Sequence, residues 1–145
     1  DPGTPGPILR PAEPAGAHLV ALTPGRVAPD PPQVARAPAG APIHVPLGVA
    51  EIDRVTEPGL QVFGTSSHDV PGRTVTPYTE IDMSGRIAIV MGNEAAGLPE
   101  DWTDTDGPID RWVTIPHRGR SESLNVAMAT TVLVFEAARQ RGSTP

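Results

Sequence analysis

Cysteine is absent from the 145-residue chain, which excludes disulfides, thiolate metal sites and a cysteine nucleophile. Lysine is absent as well. All 11 basic residues are arginines, set against 17 acidic residues for a net charge of −6. A chain of that sign is not a free-standing, non-specific nucleic-acid binder, because such binding draws its affinity from neutralised phosphates. An enzyme that holds RNA through a few arginines, or through another domain, remains compatible. No run approaches the roughly 18 apolar residues of a membrane span, and no signal-peptide pattern opens the sequence. A soluble cytoplasmic protein with no membrane partner is therefore expected. The G-x-G-x-x-G turn of a dinucleotide-binding domain is missing after the first strand, which argues against a nucleotide-binding Rossmann-like domain. The four histidines lack metal-ligand spacing, so no metal is expected.

Proline is plentiful but unevenly placed, with 12 of 19 in the first 46 residues. The clearest pattern lies at the other end of the chain. Arg111 to Ile115 reads as a short strand broken by Pro116, which cannot donate to a sheet ladder. A polar loop follows from His117 to Glu122, and then the longest apolar-rich segment, Leu124 to Ala138. Ser123 is the expected N-cap. Leu124, Ala127, Met128, Thr131, Val132 and Phe135 share one helical face, and Arg139, Arg141 and Gly142 supply a cationic last turn and a stop.

Upstream, strands are expected at His18–Thr23, Ile43–Leu47, Leu60–Thr65 and Arg86–Met91, the last a continuous β-branched run suited to a buried parallel strand. Short helices are expected after Pro5 or Pro7, over Gln33–Ala39 and over Val49–Thr56. Ser66 to Asp82 reads as a polar connection, Gly92 to Leu98 as a tight turn leading into a short helical piece, and Asp101 to Asp110 as an acidic loop holding Trp102. Strands alternating with helices or long connections indicate an α/β fold with a mainly parallel sheet flanked by helices. Because the chain starts abruptly in turn chemistry, residues 1–145 are expected to form one domain that lacks its first strand and any N-terminal RNA-binding domain.

Two loops repeat one arrangement of strand, small polar residues and helix: Gly92-Asn93-Glu94-Ala95-Ala96-Gly97-Leu98, and Pro116 to Asn125. Glycines there let backbone approach a ligand and offer N–H donors. Either loop alone is equally well read as an ordinary turn. As a pair following two strands, they could clasp one flat ligand at a sheet edge.

The segments R-I-A-I-V-M-G-N-E-A-A-G-L and I-P-H-R-G-R-S-E-S-L-N-V-A-M-A resemble motifs 2 and 3 of the SpoU (TrmH) family, the RNA ribose 2′-O-methyltransferases of the SPOUT superfamily. The opening P-G-T-P-G-P-I-L-R resembles their motif 1, N-x-G-x-x-x-R, so the likeness spans nearly the whole chain. It implies a C-terminal deep trefoil knot, S-adenosylmethionine as cofactor, an obligate homodimer, and a structured rRNA or tRNA substrate. Carried over by position, the catalytic set is Arg10, Glu94, Ser123 and Asn125. The cofactor would lie against Gly92, Asn93, Gly97, Ile115, Pro116, Ser123, Leu124 and Asn125.

Motif 1 departs from the family pattern. Thr4 stands at the asparagine position, and Pro5, Pro7, Pro11 and Pro14 crowd the segment that should aim Arg10. A knotted dimer that binds RNA or cofactor without catalysing transfer is the alternative. Arg26, Arg36, Arg73, Arg118 and Arg120 are candidates for phosphate contact, although solvated surface charge explains each one singly. Trp102 and Trp112 read as packing residues, Trp112 at the dimer contact.

Overall fold

The computed structural model describes residues 14–16, 20–22, 47–49, 52, 58–92, 97–120 and 124–142. Among the described residues the strands are β1 (Val20–Leu22), β2 (Leu47–Val49), β3 (Gln61–Thr65), β4 (Val75–Pro77), β5 (Ile87–Val90) and β6 (Arg111–Thr114), and the long helix is α1 (Val126–Gln140). β1 and β2 pair in parallel. The other four form one sheet in the order β4-β6-β3-β5, with every pairing parallel. The expected mainly parallel α/β architecture is what the described residues form.

Side-chain alternation along the three longer strands divides the interior into two halves. Phe63 and Val113 point to one face, where they meet Ile81, Met83, Leu133 and Ala137, with Ile87, Ile89, Met91 and Ile115 packed alongside. Helix α1 covers this face through Leu133 and Ala137. Val62 and Trp112 point to the other face, into a cluster with Val70 and Ile109 that Leu98 and Trp102 flank. Among the described residues, loops cover that second face. At Gly64 the covering is close: a Cβ there would lie 2.9 Å from both the Trp112 ring and Ile109 Cγ2, so glycine lets the indole lie against the strand.

Several expectations change. The connection 66–82 contains β4, which pairs with β6. Its Pro77 closes a strand on the outside of the four-stranded sheet, where a missing N–H costs no ladder bond. A second strand is described at Leu47–Val49; it meets the expected Ile43–Leu47 at Leu47 and runs past it, and residues 43–46 lie outside the described residues. Trp112 is 2% exposed inside the chain's own core, so it is not a dimer contact. Trp102, in a 3₁₀ turn over Glu100–Thr103, packs as expected. The helical face formed by Met128, Thr131 and Phe135 points outward, with Met128 63% and Phe135 44% exposed, while Thr130, Leu133 and Ala137 are buried. The segment from Val126 to Phe135 is apolar on nearly every side, so spacing alone does not select the inward face. Thr130 is admitted to the core because its hydroxyl donates to Val126 O at 2.7 Å. The helices expected after Pro5 or Pro7 and over Gln33–Ala39 lie outside the described residues. Of the one expected over Val49–Thr56, only Ile52 is described as helical.

The end of α1 is tied down by Gln140. Its side chain accepts from Met83 N at 2.6 Å and donates to Ile81 O at 3.0 Å and to Glu136 Oε1 at 3.0 Å. Arg139 forks onto Glu136 at 2.9 and 2.8 Å, and Arg141 donates to Gly85 O at 3.0 Å. The Arg139 hydrogen bonds, then that of Gln140, hold the Glu136 carboxyl down at about 2, against an ordinary 4.5. A folded value below the unfolded one means the stabilisation is complete above 4.5 and is lost as pH falls toward about 2. We therefore predict that Glu136→Gln shows a smaller fall in urea midpoint than the parent between about pH 5 and about pH 3. Equal losses in the two proteins would remove Glu136 from the acid response.

Candidate active site

Parallel pairing brings the carboxyl ends of β3, β5 and β6 to one edge of the sheet. β5 runs into Met91-Gly92 and β6 into Ile115-Pro116, so both glycine-bearing loops leave from that edge. With β3 between them, the two loop stems stand about 10 Å apart, twice the usual strand spacing. Met91 and Ile115, one from each stem, are half-buried against the same core cluster.

Gly92 sits where the first loop returns on itself. A Cβ there would lie 2.7 Å from Gly97 C and 2.9 Å from Leu98 N, both of them backbone atoms. Gly97 has φ +68°, a left-handed conformation that favours glycine. The tight turn expected over Gly92 to Leu98 is thus present at both its ends. Asn93 and Glu94, together with the expected helical piece, lie outside the described residues.

The second loop delivers the start of α1 to the same edge. The far end of the helix is fixed by Gln140 and Arg141 to residues 81–85, which precede β5 at the amino edge of the sheet. α1 therefore runs against the strands, and its 15 residues, about 22 Å long, return its N-terminus toward the carboxyl edge. Asn125, not Ser123, is the N-cap: its Oδ1 accepts from Ala127 N at 2.8 Å. An amide oxygen two positions before a free helix N–H suits that role as well as a hydroxyl does. Asn125→Ala should accordingly cost about 1 kcal/mol in a urea melt, while Asn125→Asp keeps most of the stability. An unchanged midpoint in the alanine variant would show that the cap bond contributes nothing.

Of the predicted site residues, Gly92, Gly97, Ile115, Pro116, Leu124 and Asn125 are described, on the two stems or at the helix start. Arg10 and Ser123 lie outside the described residues, as Arg26 and Arg36 do. Arg118 and Arg120 are exposed on the second loop. Arg73 is not a free phosphate ligand: its guanidinium donates to the carbonyls of Asp104, Ile109 and Asp110 at 3.0, 2.9 and 3.3 Å, clipping the acidic loop in place. Thr65, at the end of β3, was not singled out by any motif, yet its hydroxyl donates to Val90 O at 3.0 Å between the two loops. The sequence offers no signal for it, because pairing alone decides which strand lies between the two motif-bearing strands. Among the described residues no group of His, Cys, Asp or Glu could hold a metal ion, and no helix is long and apolar enough to cross a membrane.

Comparisons with known proteins agree with this geometry. The sequence profile described as the SpoU rRNA Methylase family matches residues 1–135. The chain is 37% identical to a Burkholderia 23S rRNA (guanosine-2′-O-)-methyltransferase RlmB, over 97% of this chain and 56% of that protein. Its structure is similar to that of an AdoMet-bound rRNA methyltransferase from Sinorhizobium meliloti, with a TM-score of 0.74 and 34% identity over 96% of this chain and 52% of the other. The SpoU methyltransferase AviRb from Streptomyces viridochromogenes, in complex with the cofactor AdoMet, gives 0.74 and 30% over 99% and 58%. The chain spans about half the length of the curated relatives it matches. A match over residues 1–135, beside a relative 37% identical over 97% of this chain, means that this chain belongs to the SpoU rRNA methylase family.

Proposed function

We propose that the chain is the catalytic part of an S-adenosylmethionine-dependent RNA ribose 2′-O-methyltransferase acting on rRNA or tRNA. The observation that carries this reading is the departure of the Gly92 turn and the Ile115–Pro116 stem from one sheet edge, toward which the start of α1 returns. The edge suits the cofactor: half-buried Met91 and Ile115 offer apolar surface to an adenine ring, and backbone there offers polar partners for its edge. Relatives crystallised with AdoMet add support.

When bound, S-adenosylmethionine supplies a methyl group activated on a sulfonium. Backbone around Gly92, Asn93, Gly97, Ile115, Pro116 and Leu124 would hold and orient it, which is the main demand of an in-line transfer. Arg10 would face the ribose 2′-hydroxyl. A guanidinium stays protonated and cannot act as the base, so its part is to stabilise developing negative charge on that oxygen. Glu94, Ser123 and Asn125 would orient substrate and cofactor groups between the loops. Arg118 and Arg120, exposed on the second loop, would meet RNA phosphates.

The same reading includes the C-terminal trefoil knot, one domain over residues 1–145 with further RNA-binding parts outside it, a cytoplasmic location, and a homodimer. The outward Met128 and Phe135 support the dimer, since large apolar side chains on one helix face mark an interface. Sedimentation of the purified chain reads the dimer directly. Methyl transfer from labelled cofactor to ribosomal or transfer RNA, followed by nucleoside analysis, tests the activity. A 2′-O-methylated nucleoside is the expected product. Cofactor binding without any transfer would favour the non-catalytic alternative.

A further inference from the structure

The last residue of β3 and the one that follows it hold both loop stems at once. On one side, the Thr65 hydroxyl donates to Val90 O at 3.0 Å, two residues ahead of Gly92. On the other side, Ser66 N donates to Val113 O at 3.1 Å, two residues ahead of Ile115. The β3·β5 register ends at Gly64↔Val90, so the side-chain bond carries the connection one step beyond the ladder. The β3·β6 register ends at Thr65↔Val113, and the Ser66 amide extends it in turn. By alternation Thr65 shares the α1-covered face with Phe63, on the side of the sheet where Met91 and Ile115 also pack. The backbone bond from Ser66 is available to any residue except proline. The bond to Val90 needs a hydroxyl.

We infer that Thr65 is a positioning residue for the cofactor site: its hydroxyl fixes the end of β5, and through it the Gly92 turn, at a set distance from the Ile115 stem. The inference rests on the reading of this edge as the S-adenosylmethionine site. Thr65 touches no reacting atom in this account. It acts only through the carbonyl it holds.

Thr65→Val removes the donor and keeps the β-branched shape that suits a strand. Thr65→Ser keeps the donor and removes the methyl. Calorimetric titration of S-adenosylmethionine into the parent chain and both variants should show affinity falling about five- to tenfold in the valine variant, the usual consequence of one lost hydrogen bond. The serine variant should stay within about twofold of the parent. Amide hydrogen exchange without cofactor gives a second readout, with Met91 and Gly92 exchanging faster in Thr65→Val and at the parent rate in Thr65→Ser. If the valine variant does not fold, Thr65→Ala against Thr65→Ser isolates the same hydroxyl. A parent chain that binds while the valine variant binds equally well overturns the positioning role and leaves the cofactor site standing. A parent chain that does not bind overturns the site itself, and the inference with it.

Discussion

Gly92→Val is expected to lower S-adenosylmethionine affinity by about 100-fold or more, the scale of loss that follows when a binding group is displaced by an ångström or so. The branched side chain begins at a Cβ that would stand 2.7 Å from Gly97 C and 2.9 Å from Leu98 N. Those are backbone atoms, so no side-chain rotation relieves the clash. Neither end of the turn is free to retreat, because β5 is paired to β3 on one side and Leu98 packs against the Trp112 cluster on the other. The turn must therefore open, and its groups move out of line with the Ile115 stem. Overpacking of this kind also costs stability, about 1–3 kcal/mol. Gly85→Ala is the matched control, since its Cβ meets nothing within 4 Å and Gly85 lies at the opposite edge of the sheet. Calorimetry beside a urea melt reads both effects. Parent-like affinity in Gly92→Val would mean that the turn's tightness does not matter to the ligand.

Arg10→Ala should leave cofactor affinity near that of the parent and reduce methyl transfer by about 100- to 1000-fold, the loss typical of removing one donor from a site of developing negative charge. A ribose hydroxyl is a weak acid, and a guanidinium cannot take its proton. What a guanidinium offers is a fixed positive charge with several donors. Arg10→Lys tests that distinction, because it keeps the charge and loses the planar fork, and an intermediate rate is expected. The surrounding sequence bears on the outcome. Thr4 replaces the asparagine of the family motif, and four prolines fall between residues 5 and 14. If transfer by the parent is measurable and unchanged in Arg10→Ala, the carried-over role of Arg10 is wrong.

The sheet was legible where local chemistry and burial agree. Ile87 to Val90 are β-branched residues and an alanine between punctuating glycines, and they form the expected parallel strand, although it is half-buried rather than buried. Gly142, with φ +61°, ends α1 where a glycine after a cationic turn should, and Arg139 lies in that last turn. The inward face of α1 was not legible. A helix apolar on most sides has no unique buried stripe, and the choice falls to contacts remote in sequence, such as Gln140 with Ile81 and Met83. The strand at Val75–Pro77 was hidden for the opposite reason. Three residues ending in proline carry almost no local signal, and their pairing with β6 is a tertiary fact. Arg73 shows the limit of reading charge alone, because a guanidinium offered to phosphate and one satisfied by three carbonyls look identical in a sequence.

At the site, the two motif-bearing loops were legible from their glycines and their family likeness. Their relation to each other was not. It depends on the order β6-β3-β5, which puts the end of a third strand between the two loop stems. Thr65 is invisible to motif reading for that reason.

Whether the two loops form a single pocket is tested most directly by amide spectra recorded during an S-adenosylmethionine titration. The amides of Gly92, Ile115 and Leu124 are predicted to shift together and saturate at the same cofactor concentration. Shifts confined to one loop, or two loops saturating at different concentrations, would contradict a single pocket.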